Sequence, residues 1–464
     1  MSDQSGHTEK GYFMREKSTE RYSLFTAITM IVGIAIGSGI FFKADNVLEA
    51  TNGSVFYGAI LFILGAVAII FGGLSIAELA SRTDKPGGVV TYSEEFVSMR
   101  YGSAFGWFHS LVYYPTLTIV VSFVVGIYTS TLFGWEISVT RCSLIGLGFV
   151  TLCYFYNTIS PRFGGIFQDI SCVIKIIPLV VLAFCGIVWG DPVSGFRNLA
   201  EQTFDAGLWI MGISAVAFSY DGWIVSTSIA HEIKDSKKNL PRALIIEPLI
   251  VLFLYLAYFI AISAYLGADT VVAQGDHAVY QMATDLFGGI FAKIVLICII
   301  ISVMGTVNGI VLGGIRLPYS LALRGAAIPK AKWFAEENEK LKMPVHSAVF
   351  MYLVAVVWGI IHYLTTTYGI LGASDVSEIA ICFSYILYLA FYWKVFGLWR
   401  KGEIKSFFRG VICPTLATVG VGFIVFGSLI GGGLYVIYLA VSAAVFLTGM
   451  YYYKRHIRKK ENAA

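Results

Sequence analysis

The residues best suited to chemistry lie inside apolar runs. Gly33–Phe41 reads G-I-A-I-G-S-G-I-F, within the apolar stretch from Leu24 to Phe42. Glycine weakens a helix by about 1 kcal/mol relative to alanine and accepts backbone angles closed to other residues. Two readings of Gly33, Gly37 and Gly39 are open. A helix broken here frees main-chain N–H and C=O groups to hold a ligand, which at membrane depth survives only in protein or against a wet cavity. Alternatively, Gly33-x-x-x-Gly37 is a stripe for close helix packing. In the first reading, the N–H groups of Ser38, Gly39 and Ile40 open a half-helix carrying about half a positive charge, which suits a carboxylate. Ala35 and Ile36 end the preceding half with open carbonyls, which suit an ammonium.

A second interruption favours the broken helix. Ala217–Trp223 reads A-F-S-Y-D-G-W, and the turn-prone pair Asp221-Gly222 cuts another apolar run. Carbonyls near Phe218 and Asp221 would face those of the first break. Interrupted helices at corresponding places in two halves are the sequence pointer to inverted repeats with a midplane site. Anion and cation sites made of backbone suit a zwitterion, an α-amino acid. The candidate binding residues are Ala35, Ile36, Gly37, Ser38, Gly39, Ile40, Phe218, Ser219 and Asp221. The Asp221 side chain could touch substrate, titrate, or cap the next half-helix; capping is the expected role because Asp is a favoured N-cap.

Other polar residues stand in the same apolar setting. Lys175 has apolar sequence on both sides, from Phe167 to Trp189. A lysine at such depth costs about 2.5–3.5 kcal/mol and signals function. Glu232, followed by Lys234–Arg242, is either part of an inner gate or the start of a charged loop stopped by Pro241; the two are compatible. Asn308 either lines a cavity or bonds helices together for about 0.6 kcal/mol, and Glu78 is similarly open. Tyr385 and Tyr388, about one turn apart, either border a path or pack as aromatics, and packing is expected.

The elements that position these residues follow from composition. The chain of 464 residues is 57% hydrophobic and 13% charged, about half the charge of a soluble domain, so it is a polytopic membrane protein. Apolar runs give twelve spans near 23–43, 55–80, 91–130, 138–159, 163–190, 208–233, 243–266, 288–322, 346–364, 369–398, 409–430 and 433–453. Residues 1–22 and 454–464 are polar tails, and 409–453 holds the last two helices. With the N-terminus inside, every Lys and Arg except Lys43, Arg141, Lys175, Arg197 and Lys293 falls in a cytoplasmic segment. That bias predicts cytoplasmic termini. The seven cysteines lack metal-ligand spacing and read as small buried residues. There is no phosphate loop, H-E-x-x-H or G-x-S-x-G, so no enzyme, cofactor or nucleic-acid partner is expected.

I-G-S-G-I-F, F-x-Y-D-G-W and the following H-E-I-K-D-S-K-K-N-L-P-R-A resemble the amino acid–polyamine–organocation superfamily, most closely bacterial members of its L-type amino acid transporter branch such as serine/threonine exchangers. The resemblance implies an all-α leucine-transporter-type fold, with five-helix inverted repeats over 23–190 and 208–398 and helices 1 and 6 broken. It implies sodium-independent amino acid exchange at the plasma membrane. It assigns the substrate carboxylate to Gly37-Ser38-Gly39 and the amine to carbonyls of Ala35, Phe218 and Asp221. The Phe218 ring would close the outer gate, and Lys175 would stand where sodium-coupled relatives bind sodium. Animal relatives link to a heavy subunit near the position of Cys142; read as the start of helix 4 in a bacterial-like chain, Cys142 implies no such partner.

Overall fold

A computed structural model describes residues 24, 28, 32, 35–36, 39–83, 88–193, 204–224, 233–324, 327–341, 343–371, 375–430 and 433–461. Among them the chain is helical throughout, with a single isolated backbone pairing, Asn338 with Met343. The main helices are α1 (Gly39–Ala50), α2 (Val55–Ala80), α3 (Met99–Phe133), α4 (Val139–Ile159), α5 (Pro161–Trp189), α6 (Ala206–Tyr220), α7 (Ser236–Leu266), α8 (Gly289–Leu323), α9 (Val345–Thr367), α10 (Val376–Arg400), α11 (Cys413–Ile430) and α12 (Gly433–Glu461). Their boundaries follow local chemistry. Ser54, Ser138, Ser160, Asp205 and Asp375 each accept backbone N–H bonds as N-caps. Pro161 then occupies the first position of α5, where a missing N–H costs nothing.

Ten helices, all but α1 and α6, are long and apolar enough to cross a bilayer. The first and sixth apolar runs instead contain shorter helices, α1 of 12 residues and α6 of 15. Several expected boundaries are corrected. α1 continues past residue 43 to Ala50, so Lys43, read from sequence as an outside residue, lies within a helix. α7 begins at Ser236, so Pro241 lies inside the helix instead of stopping the loop, at the cost of one hydrogen bond near its start. α10 starts at Val376 instead of residue 369, whereas α8, Gly289–Leu323, matches its expected span within a residue.

Packing places the interrupted helices inside. α1 lies against α6, and α2 against α6, α7 and α11; α7 also packs on α5, and α8 on α3 and α5. The outside is apolar. On α5, Phe163, Ile166, Ile170, Val173, Ile177 and Phe184 recur at helical spacing and are all exposed. A stripe of this length needs lipid against it. All seven cysteines are free; six are buried and Cys298 is partly so, in keeping with their reading as packing residues.

Candidate functional site

The two interrupted helices meet at their breaks. α6 ends at Tyr220, Asp221 turns extended, and Gly222 takes φ 102°, open in practice to glycine alone. On the other side, the Ile36 N–H donates to Val32 carbonyl at 2.8 Å, and α1 starts at Gly39. A Cβ on Gly39 would fall 2.6 Å from Ser219 Cα, so only glycine lets the two backbones touch. Ser219 Oγ lies 3.1 Å from Gly39 carbonyl and 3.0 Å from Ala215 carbonyl, both acceptors for its one proton. Tyr255 of α7 completes the junction: its hydroxyl is shared between the carbonyls of Ala35 at 3.0 Å and Ser219 at 2.8 Å. Phe218 carbonyl accepts from the Asp221 N–H at 3.1 Å. Ile40 is fully buried beside the junction. Thus Ala35, Gly39, Phe218, Ser219 and Asp221 are gathered in one place. Gly33, Gly37, Ser38 and Glu232 lie outside the described residues. Nothing in the sequence singled out Tyr255 from the many aromatics of its span.

Lys43 is the other residue that sequence reasoning missed. Its Nζ lies 4.9 Å from the centre of the Phe218 ring, within cation–π range. The same ammonium donates to Glu378 at 2.7 Å and Asp375 at 3.3 Å on α10, and Tyr435 of α12 donates to Glu378 at 3.1 Å. Lys43 is only 2% exposed and Glu378 4%. An isolated charge there would be prohibitive, and each sign is retained because the other is present. One signal was available: Lys43 follows Gly39 by four residues, and so shares the face that touches α6.

Asp221 stands at the C-terminal end of α6. The Gly222 N–H lies against its carboxylate, as in a local cap. Its Oδ2 also accepts from the Tyr113 hydroxyl on α3 at 2.5 Å. Tyr113 ends a π-helical turn, His109–Tyr113, within α3; such one-turn widenings re-aim side chains and gather at functional sites. Tyr114, Tyr385 and Tyr388 also lie in the electrostatic reach of Asp221. Trp223, just past the break, donates to the Tyr385 hydroxyl at 3.4 Å and stands edge-on to Tyr388, ring centres 6.0 Å apart. Tyr385 and Tyr388 therefore pack as aromatics and, in doing so, wall the α6 break.

Lys175 is wholly buried on α5, and its ammonium donates to Thr306 Oγ1 of α8 at 3.4 Å. Thr306 in turn donates to Ser302 carbonyl at 3.3 Å. Asn308, two residues on, accepts from Tyr156 and Asn157 at 2.8 and 2.9 Å and donates to Gly164 carbonyl and Gln168 at 3.0 Å each. It bonds α4, α5 and α8 together, which settles its open role in favour of interhelical bonding. Glu78 pairs with Arg409 at 3.1 Å near the bundle surface, away from the junction.

Known proteins resemble the chain along most of its length. The family model for amino acid permeases matches residues 22–453. The serine/threonine exchanger SteT of Bacillus subtilis (strain 168) is 30% identical over 431 residues, covering 91% of this chain and 93% of that protein. Human large neutral amino acids transporter small subunit 2 is 30% identical over 65% of this chain and 57% of its own length. Human Asc-type amino acid transporter 1 is 28% identical over 68% of this chain and 62% of its own length. The match thus spans less than two thirds of either human relative. Broken apolar helices meeting through glycine and serine, in a bundle with a lipid-facing apolar surface and matched along nearly its whole length by one family model, place this chain in the amino acid permease family of the amino acid–polyamine–organocation superfamily.

Proposed function

We propose that the chain moves neutral L-amino acids across the plasma membrane by sodium-independent exchange, using alternating access. The observation that carries this reading is the contact of the α1 and α6 breaks at Gly39 and Ser219, bridged by Tyr255. Main-chain groups at such a junction hold both ends of a zwitterion and offer no fixed counter-charge for a third. The reading includes a leucine-transporter-type fold of twelve spans, with repeats over 23–190 and 208–398, helices 11 and 12 over 409–453, and cytoplasmic termini. The Gly37-Ser38-Gly39 N–H groups and Ile40 receive the carboxylate. Ala35, Ile36, Phe218, Ser219 and Asp221 surround the amine.

In this cycle Phe218 closes over bound substrate, and Lys43, held by Asp375 and Glu378, caps the ring. For substrate to reach the junction, the Lys43 contact with α10 or with Phe218 has to part. Tyr255 and Ser219 already occupy some of the junction's carbonyl acceptors, so an incoming ammonium competes with two hydroxyl protons. Lys175 supplies a resident cation where a sodium ion would otherwise sit, and Glu232 belongs to the inner gate. No heavy subunit is included. A second reading, a proton-coupled symporter that also takes cationic amino acids, is favoured by Asp221, whose Oδ1 has no hydrogen-bond partner among the described residues.

The deciding experiment is counterflow of one radiolabelled neutral amino acid in liposomes against all twenty, at several pH values and without sodium. Alanine, serine, threonine and leucine are expected to compete best. Preference for arginine or lysine, or uptake that requires a pH gradient and no internal amino acid, supports the second reading. The absence of saturable counterflow defeats both.

A further inference from the structure

At the end of the bundle that carries Lys43, a turn between α7 and α8, Gly275–His277, packs on α1. The position of a Cβ on Gly275 lies 3.4 Å from Asp45 Oδ2, so the Asp45 carboxylate rests on the backbone of the turn. The next residue in the turn is Asp276. Its Oδ1 is fully enclosed and has no hydrogen-bond partner among the described residues. A separate observation points to the same spot. Tyr128 of α3 is 0% exposed, its hydroxyl lacks a hydrogen-bond partner, and Asp276 and Asp45 are the acidic groups that bear on it. An enclosed, unpartnered carboxylate oxygen and an enclosed phenol beside a second, partly buried acid make a site that is short of a proton or a cation.

The surrounding charges do not supply it. Lys43 is the near cation for both acids, but it already serves Asp375 and Glu378. His362 of α9 lies toward Asp375 and Lys43, and Tyr258 of α7 faces Asp45. Cys142 of α4, beside Arg141, faces Asp276, and His277 follows Asp276 in the turn itself. Glu49, one turn after Asp45 on α1, adds a further negative charge; five carboxylates thus share one lysine, an imbalance that a bound proton relieves.

We propose that Asp45 and Asp276 hold one proton between them when the Gly275–His277 turn is seated on α1, and that this proton latches the turn over the end of the bundle. The proton comes from water on that side and returns there when the turn lifts. The proposal goes beyond the transport reading and uses only its orientation, which puts this end outside. The sign follows from the seated turn. Burial, and then the neighbouring Asp45, push the Asp276 carboxyl up to about 8, whereas a lifted, hydrated turn would return it to about 4. Below about 4 both states hold the proton, and above about 8 neither does. Between those limits the seated turn keeps a proton that the lifted turn has lost. Seating is therefore strongest in acid and weakens as pH rises, by at most about tenfold per unit.

Ala278 is buried directly after the turn and reports on it. Ala278→Cys is reconstituted in liposomes and labelled from outside with an impermeant maleimide, with mass spectrometry of the peptide holding position 278 as the readout. The same substitution in an Asp276→Asn background cancels the pH dependence of thiol reactivity, because amide 276 stays neutral and keeps the turn seated. The ratio of the first labelling rate to the second is expected near one at or below about pH 4, rising at least about fivefold by pH 8.5. An Asp276→Glu background, still an acid, should behave as Asp276. A ratio that stays flat, or Glu behaving as Asn, overturns the latch. So does faster labelling at about pH 5 on adding EDTA alone, which would mean that a metal ion holds the pair. Labelling needs no transport, so a failure of counterflow would count against the transport reading while this result stood.

Discussion

At the scale of single residues, the site depends on side chains that complete what the backbone leaves open. Tyr255 places a hydroxyl on carbonyls of both interrupted helices, Ser219 on the Gly39 carbonyl where they touch, and Tyr113 on the Asp221 carboxylate. Phe218 differs, since its ring serves as a surface and is held from above by Lys43. Phe218→Ala is expected to lower counterflow at least tenfold while costing less than the roughly 3–5 kcal/mol typical of a core phenylalanine. Thermal unfolding in detergent beside counterflow measures both. Unchanged transport in a well-folded variant would reject the gating role.

At the scale of elements, α5 and α8 pack on each other, and α5 also lies against α7. Asn308 ties α8 to α4 and α5, and Lys175 meets Thr306 one turn of α8 from Ser302. An ammonium so deep requires acceptors, since apolar side chains cannot replace water. If Lys175 acts as a tethered cation, Lys175→Ala should lose most transport and still fold. Lys175→Arg should fail as well, because a planar guanidinium does not fit a space made for a compact cation. Uptake in sodium-free buffer by the wild type and both variants is the check. Strict sodium dependence of the wild type, or full activity of the alanine variant, refutes the idea.

At the scale of the molecule, one end is fastened by the buried group Lys43, Asp375, Glu378 and Tyr435, which joins α1, α10 and α12. Removing one partner from a buried pair leaves the other charge uncompensated, at a cost of about 3–5 kcal/mol. Lys43→Ala is therefore expected to lower thermal stability by that order, and adding Glu378→Gln should recover part of the loss. If Lys43→Ala unfolds at the wild-type temperature, the group is dispensable to the closed bundle. Near the opposite end, the exposed pair of Arg82 with Glu403 at 3.5 Å contributes little, whereas Arg324 with Glu94 at 2.7 Å is mostly buried.

Much of this was legible in the chain before any fold was known. Apolar runs of spanning length report directly on lipid, because a bilayer admits little else. Gly33, Gly37 and Gly39 with the Asp221-Gly222 pair marked candidate breaks, since glycine weakens an apolar helix. The buried Lys175 was visible because a lysine inside an apolar run is costly. Lys43 was missed: its spacing from Gly39 was the one signal, beside polar sequence it reads as the end of a span, and its partners Asp375 and Glu378 are more than three hundred residues away. Nor was Tyr255, one tyrosine among 27, whose role depends on two carbonyls from different helices reaching the same hydroxyl. Local composition determined which segments cross and where they break. Only tertiary structure decided which side chains close the breaks, because those contacts join residues that no sequence period relates.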